Sequence, residues 1–217
     1  MVDRHLTQSE MLDMAFKTNI AKIYTSMPAT LITYDPDTQR AQIQLGIKRR
    51  QKGVWGDLSV LTDVPVDFPG SKNWAFFHEL SNGDEGWAHF SQRCIDEWLS
   101  GGGSVQPGSL RMFDKTDACF KPGVRSSKTA FAPMPNTGAG LTNKAGTVSI
   151  KATDSAIDLV IGSTSIVSTG SSITMTVGGQ TLVLSSAGLL HNGVNIGQTH
   201  THSGVQSGNG TSGPPVP

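Results

Sequence analysis

Ser172-Ile173-Thr174-Met175-Thr176-Val177, then Gly178-Gly179, then Gln180-Thr181-Leu182-Val183-Leu184-Ser185: apolar and hydroxyl side chains alternate at period two on both sides of a glycine pair. Alternation at that period marks half-buried strands, and the glycines mark the turn between them. The pattern spreads outward in both directions. Gly146-Thr147-Val148-Ser149-Ile150-Lys151 alternates too, Ala156–Ile161 and Ser165–Ser168 lie between, and Gly162, Gly170 and Gly188 punctuate the series. Val148, Ile150, Ile173, Met175, Val177, Leu182 and Leu184 make the expected inward face. Strands this short, without aromatics, a helix or a second sheet, bury too little in one chain to offset ordering entropy. Three chains around a common axis would close the sheet and hide its edges. The expected object is a trimeric intertwined β-helix or β-prism needle over residues 136–196. Its outer face, with Ser168 and Ser172, is expected to be hydroxyl-rich and nearly uncharged.

Upstream the chemistry changes. Every Trp, Tyr and Phe lies at or before Phe131, as do Cys94 and Cys119, and from Leu141 onward only Lys144, Lys151, Asp154 and Asp158 are charged. Phe131-Ala132-Pro133-Met134-Pro135-Asn136-Thr137-Gly138 interrupts regular pairing, which places the boundary near residue 135. Residues 1–20 read as a helical arm: Ser9 is a candidate cap, with Met11, Leu12, Ala15 and Phe16 at helical spacing. Over 21–135 the expected strands are Ala21–Thr25, Ala29–Tyr34, Arg40–Ile47, an edge run Val64–Gly70 whose prolines cannot donate to a ladder, and a pair Trp74–Leu80 and Gly86–Phe90 joined through Ser81–Asp84. A short helix after Ser91 carries Cys94, Ile95, Trp98 and Leu99 and stops at Gly101–Gly103. Short strands with one or two small helices suggest a five-stranded barrel of the oligonucleotide/oligosaccharide-binding type (OB-fold). The fold class is all-β.

The 217 residues carry seventeen basic and seventeen acidic side chains, so no long-range field draws nucleic acid or an anionic membrane. Lys48-Arg49-Arg50 with Lys52 reads as a solvated loop or strand end. No apolar run is long enough for a transmembrane helix, and Met1-Val2-Asp3-Arg4-His5 does not begin a secretory signal. Two cysteines without metal spacing read as reduced thiols of a protein made in a cytoplasm.

The chain ends Gly197-Gln198-Thr199-His200-Thr201-His202-Ser203-Gly204, followed by a Gly/Pro-rich lid reaching Pro215. In an extended chain His200 and His202 point to the same side. One chain offers two imidazoles and three chains offer six, enough for an octahedral site on the axis. Zinc prefers four ligands, so a six-nitrogen cage points to iron, one per trimer, with zinc the lesser alternative. His191, in His191-Asn192-Gly193, reads as an exposed turn residue, and His78 and His89 as ordinary histidines among aromatics.

These residues resemble the central spike proteins of contractile phage tails. The tip stretch Thr199–Gly204 with Thr211-Ser212-Gly213-Pro214 resembles their apex. Val64-Pro65-Val66, Gly83–Trp87, Phe90–Leu99, Arg111–Ala118 and Pro122-Gly123 resemble their N-terminal domain. The resemblance implies an OB-type barrel, a trimeric β-helix and a tip (197–217) holding iron through His200 and His202. It further implies a homotrimer attached to tail hub or baseplate proteins through its N-terminal half. The particle would assemble in the host cytoplasm, reside at the baseplate tip of the virion, and puncture the host outer envelope on contraction. Neither nucleic acid nor a small-molecule substrate is expected.

The alternative is a receptor-binding tail fibre with a metal-stabilised tip. A fibre tip should carry several His-x-His repeats and exposed aromatics, whereas here there is one repeat and no aromatic after Phe131. An envelope-degrading glycosidase is disfavoured, because the adjacent carboxylates Asp84/Glu85 and Asp96/Glu97 cannot flank a scissile bond. The chain is expected not to be an enzyme.

Overall fold

The computed structural model describes residues 6–131, 133–204, 206 and 208. The start of the expected arm (1–5) and most of the lid (205, 207 and 209–217) lie outside the described residues. The chain is mostly β and divides into two units, Met1–Ala130 and Phe131–Pro217.

Unit 1 opens with α1 (Gln8–Ile20). Its cap is Thr7 rather than Ser9: Thr7 Oγ1 accepts from the Glu10 amide at 3.3 Å, and Glu10 Oε2 accepts from the Thr7 amide at 2.8 Å. Thr7-Gln8-Ser9-Glu10 is therefore a capping box, satisfying two amides reciprocally. No residue of α1 is buried. Seven strands follow: β1 (Ser26–Asp35), β2 (Arg40–Leu45), β3 (Arg49–Gln51), β4 (Val54–Gly56), β5 (Leu61–Pro65), β6 (Glu85–Phe90) and, after α2 (Asp96–Gly101), β7 (Ala118–Pro122). Ala21–Thr25 is not a strand; it leaves α1 through a turn, and the Tyr24 amide bonds to Phe113 O.

The main sheet runs β5-β2-β1-β6-β7 with antiparallel neighbours throughout. It curls until its two ends meet at a parallel bridge, Val66 to Phe120, where the Asp67 amide donates to Phe120 O at 2.8 Å. Inward residues fill the interior, alternating along β1, β2, β6 and β7 and set three apart on β5: Ala29 and Leu31, Ala41, Ile43 and Leu45, Leu61 and Val64, Ala88 and Phe90, Ala118 and Phe120. The basic segment Lys48–Arg50 enters the separate β3–β4 hairpin, with Lys48 paired to Asp57 at 3.5 Å and Arg50 over Trp55.

Trp74–Leu80 does not pair with β6. It makes one bridge, Gly70 to Ala75, and presents Trp74, Phe76 and Phe77 at 77–84% exposure. The reason lies in the turn Ser81–Asp84. Its backbone docks on β1, with Gly83 N–H on Leu31 O and Leu31 N–H on Asp84 O, so the chain leaving it must join β1. The short helix likewise starts later than Ser91, at Asp96.

Unit 2 is one eight-stranded antiparallel meander: β8 (Ala139–Thr142), β9 (Val148–Ala152), β10 (Ala156–Ile161), β11 (Thr164–Thr169), β12 (Ser172–Val177), β13 (Gln180–Ser185), β14 (Gly188–His191) and β15 (Val194–Asn195). Within the chain each strand pairs with its sequence neighbours. Gly178-Gly179 and Asn192-Gly193 both hold positive φ, the backbone of a tight two-residue hairpin turn.

Register explains the alternation. Leu141, Ile150, Leu159, Ile166, Met175 and Leu182 face one another directly across six successive strands. Val148, Ile157, Ile161, Ile173, Val177 and Leu184 share that face. These twelve apolar side chains remain 36–68% exposed. The other, mixed face carries the hydroxyls of Thr174, Thr176, Ser149 and Ser165 and the cross-strand partners Lys151 and Asp158, with Val160, Val167, Val183 and Leu190 among them. Ser172 lies on this hydroxyl face, but Ser168 pairs with Ile157 and Ile173 and lies on the apolar one. Alternation places Ser168 with Ile166, two residues away, rather than with Val167.

Candidate metal centre at the tip

The tip is built from the last hairpin. The Ile196 amide donates to Leu189 O at 2.8 Å, fixing the exit from β15. Asn195 then organises the turn: its Oδ1 accepts from the Gly197 amide at 2.8 Å, and its Nδ2 donates to Thr199 Oγ1 at 2.9 Å. Gly197 O receives the His200 amide at 3.1 Å and lies 2.6 Å from His200 Nδ1.

A carbonyl oxygen only accepts, so the Nδ1 contact requires the proton on Nδ1 and leaves the His200 Nε2 lone pair free to bind. Holding one ring nitrogen against a backbone carbonyl is how proteins orient ligating imidazoles. His200 Nε2 lies 3.1 Å from His202 Nε2, with the rings nearly perpendicular at 80°. Without metal, that distance is a hydrogen bond in which His202 Nε2–H donates. Two nitrogens each about 2.1 Å from one ion and at right angles to each other are about 3.0 Å apart. The Nε2–Nε2 spacing therefore matches that of neighbouring ligands on one ion. Two ligands complete neither a tetrahedral nor an octahedral shell, so one chain supplies only part of such a site.

His191 lies at the end of β14, opposite Leu182, and is not part of this pair. In unit 1, His78 stacks edge-on against Phe68, and His89 is exposed on β6.

A second group of ligand-capable atoms gathers where sequence reasoning placed none. Cys94, Asp96 and Asp117 each bring one within 4.8 Å of the others. A cation already occupies the space between the carboxylates. Arg111 Nε and Nη2 donate to the two Asp117 oxygens at 2.7 and 2.8 Å, and Nη2 also donates to Asp96 Oδ1 at 2.8 Å. Guanidinium does not lose its proton in proteins, so a metal here would have to displace a fixed positive charge. The Arg111 bond holds the Asp96 carboxyl below the usual range. Asp117 Oδ1 also accepts from the Ile95 amide at 3.0 Å, capping α2, which has no side-chain cap of its own. The sequence signal was Asp96 and Asp117 around Arg111, all inside the stretches of resemblance.

The remaining adjacent carboxylates are structural as well. Asp84 Oδ2 accepts from the Ser81 amide at 2.8 Å. Glu85 accepts from the Ser126 amide and hydroxyl and from Thr129 Oγ1, which together hold its carboxyl below the usual range.

Residues 27–123 match the family described as the phage protein Gp138 N-terminal domain, and residues 198–216 match the GpV Apex motif. No curated protein matches the chain. The first match spans the curled sheet of unit 1, and the second begins two residues before His200. Together they indicate a spike protein of a phage tail baseplate, which associates with other tail proteins in the virion.

Proposed function

We propose that the chain is the central spike of a contractile phage tail, three copies of which form a needle that punctures the host outer envelope. The observation that carries this reading is the row from Leu141 to Leu182, apolar across six strands and uncovered in the single chain. An exposed apolar face that large requires a partner. Two further copies supply it by symmetry, and their edge strands can cover the unpaired edges of β8 and β15.

Unit 1 is the OB-type barrel in this reading. Its strand order and the parallel contact between its end strands support that topology. It attaches the spike to the hub or baseplate. Three tips bring six imidazoles together, and His200 and His202 of each copy hold one iron ion. Bound there, the ion cross-links three chain ends; the residues' own contribution is orientation, through Gly197 O and the Asn195 turn.

The spike acts by shape and stiffness rather than catalysis. It assembles in the host cytoplasm and resides at the tail tip. Sedimentation equilibrium at micromolar concentration tests the reading: three chains of 23.0 kDa give about 69 kDa. A folded monomer that retains its strands refutes it.

A further inference from the structure

His191 continues the apolar row. It pairs directly with Leu182 in β13 and with Val194 in β15, so its side chain emerges on the face that carries Met175, Ile166 and Leu159. The row passes through the middle of β10 and β12, Leu159 within Ala156–Ile161 and Met175 within Ser172–Val177, and reaches His191 at the last residue of β14, beside the Asn192-Gly193 turn, where it is exposed in the single chain. Among the described strand residues of unit 2, His191 is the only titratable group on that face. Lys151 and Asp158 are cross-strand partners on the other face. The flanking strands present Gln180, Leu182 and Leu184 from β13 and Val194 from β15 on the side of His191, and none of these titrates. Leu189 is its nearest neighbour on the same face of β14.

We infer that His191 and its counterparts in two further copies form a ring of neutral imidazoles closing the apolar interior just before the tip, and that this ring makes the distal needle sensitive to acid independently of the metal. The inference rests on the trimer proposed above. A neutral imidazole carries one N–H donor and one lone-pair acceptor, so three around an axis can pass a hydrogen bond from each to the next. Protonation removes an acceptor and places charge in an apolar layer. A second protonation adds repulsion between like charges.

Both effects make the assembled state bind protons more weakly than the unfolded chain. Acid therefore weakens the assembled state, and neutral pH preserves it. Metal release at the tip would also respond to acid, so the test removes the tip ligands first.

Full-length H200A/H202A is compared with the same chain carrying H191L or H191Q, by urea unfolding and sedimentation at about pH 7.5 and about pH 5.5, a range that brackets histidine titration. The expected result is a trimer whose urea midpoint drops on acidification in H200A/H202A, with the drop abolished by either substitution at His191. Glutamine keeps a donor and an acceptor without titrating, so H191Q should also match the parent at neutral pH. An equal drop with and without His191 overturns the inference while leaving the trimer intact. A monomer at neutral pH would instead refute the proposed function itself. Metal retained by H200A/H202A and lost on adding H191L would overturn the neutral ring in favour of a metal-bound layer.

Discussion

Arg111 grips Asp117 with two parallel N–H···O bonds of 2.7 and 2.8 Å, and the carboxylate it grips is wholly buried immediately before β7. The same guanidinium reaches Asp96 at the start of α2, and Asp117 caps that helix through the Ile95 amide. One arginine thus fixes the long β6–β7 connection to the sheet. The contacts drive its own proton affinity up, so it stays charged at any accessible pH.

Arg111→Ala should destabilise unit 1 by about 3–5 kcal/mol, because it leaves the Asp117 carboxylate buried without its partner. Arg111→Lys keeps the charge but loses the planar two-point contact, and should recover only part of the loss. Urea unfolding followed by tryptophan fluorescence measures both. An Ala variant as stable as the parent would show that Asp117 is satisfied some other way.

Glu85 ties the segment after β7 back to β6 through Ser126 and Thr129. Its carboxyl is held low chiefly by the Ser126 amide. The stabilisation is therefore complete above about pH 4.3, the unfolded-chain value for Glu, and is lost as pH falls through the depressed folded-state value. Glu85→Gln should lower proteolytic resistance near Arg125 and Lys128 at neutral pH and remove this part of the acid sensitivity. Limited trypsin digestion of parent and variant reads the first effect.

How far the sequence revealed the fold followed from where pairing is local. In unit 2 every strand pairs with its sequence neighbour, so period-two alternation alone placed Ile150, Met175 and Leu182 on one face. In unit 1 β6 joins β1 across about fifty residues, and nothing in Trp74–Leu80 announces that its aromatics stay exposed. The Thr7 cap was legible as Thr-x-x-Glu, yet Ser9 has the same residue chemistry two positions later. The Asp117 clamp was not legible although Arg111 lies only six residues away, because nothing in the local sequence marks Asp117 as the buried carboxylate among Asp114, Asp117 and Asp96. At the tip, same-side placement of His200 and His202 followed from their spacing, but the Gly197 carbonyl that fixes the His200 tautomer depends on the Asn195 turn.

Assembly should respond to which face of unit 2 is charged. Met175→Asp places a carboxylate in the centre of the apolar row and should abolish trimer formation, since an unpaired buried charge costs several kcal/mol per copy. Thr174→Asp, one residue away on the hydroxyl face, should leave the sedimentation coefficient unchanged. Equal behaviour of the two variants would mean that the apolar face is not the one covered.

Metal at the tip gives the sharpest test of the needle. With His200 and His202 of three copies around one ion, elemental analysis should find one iron per trimer, a third of an equivalent per chain. Only neutral imidazole binds, so acid should release the ion as protons compete for the ring nitrogens. Replacing both residues with alanine should abolish the metal and leave unit 1 folded, because its core and the Arg111 clamp lie in a separate unit. Replacing Asn195 with alanine should weaken metal retention without touching a ligand, since it removes the hydrogen bonds that place Gly197 O against His200 Nδ1. Losing hydrogen bonds that orient a ligating imidazole typically costs about 10–100-fold in affinity. A competition titration with a chelator would read that shift. One ion per chain, instead of one per trimer, would contradict a shared axial site even though binding was real.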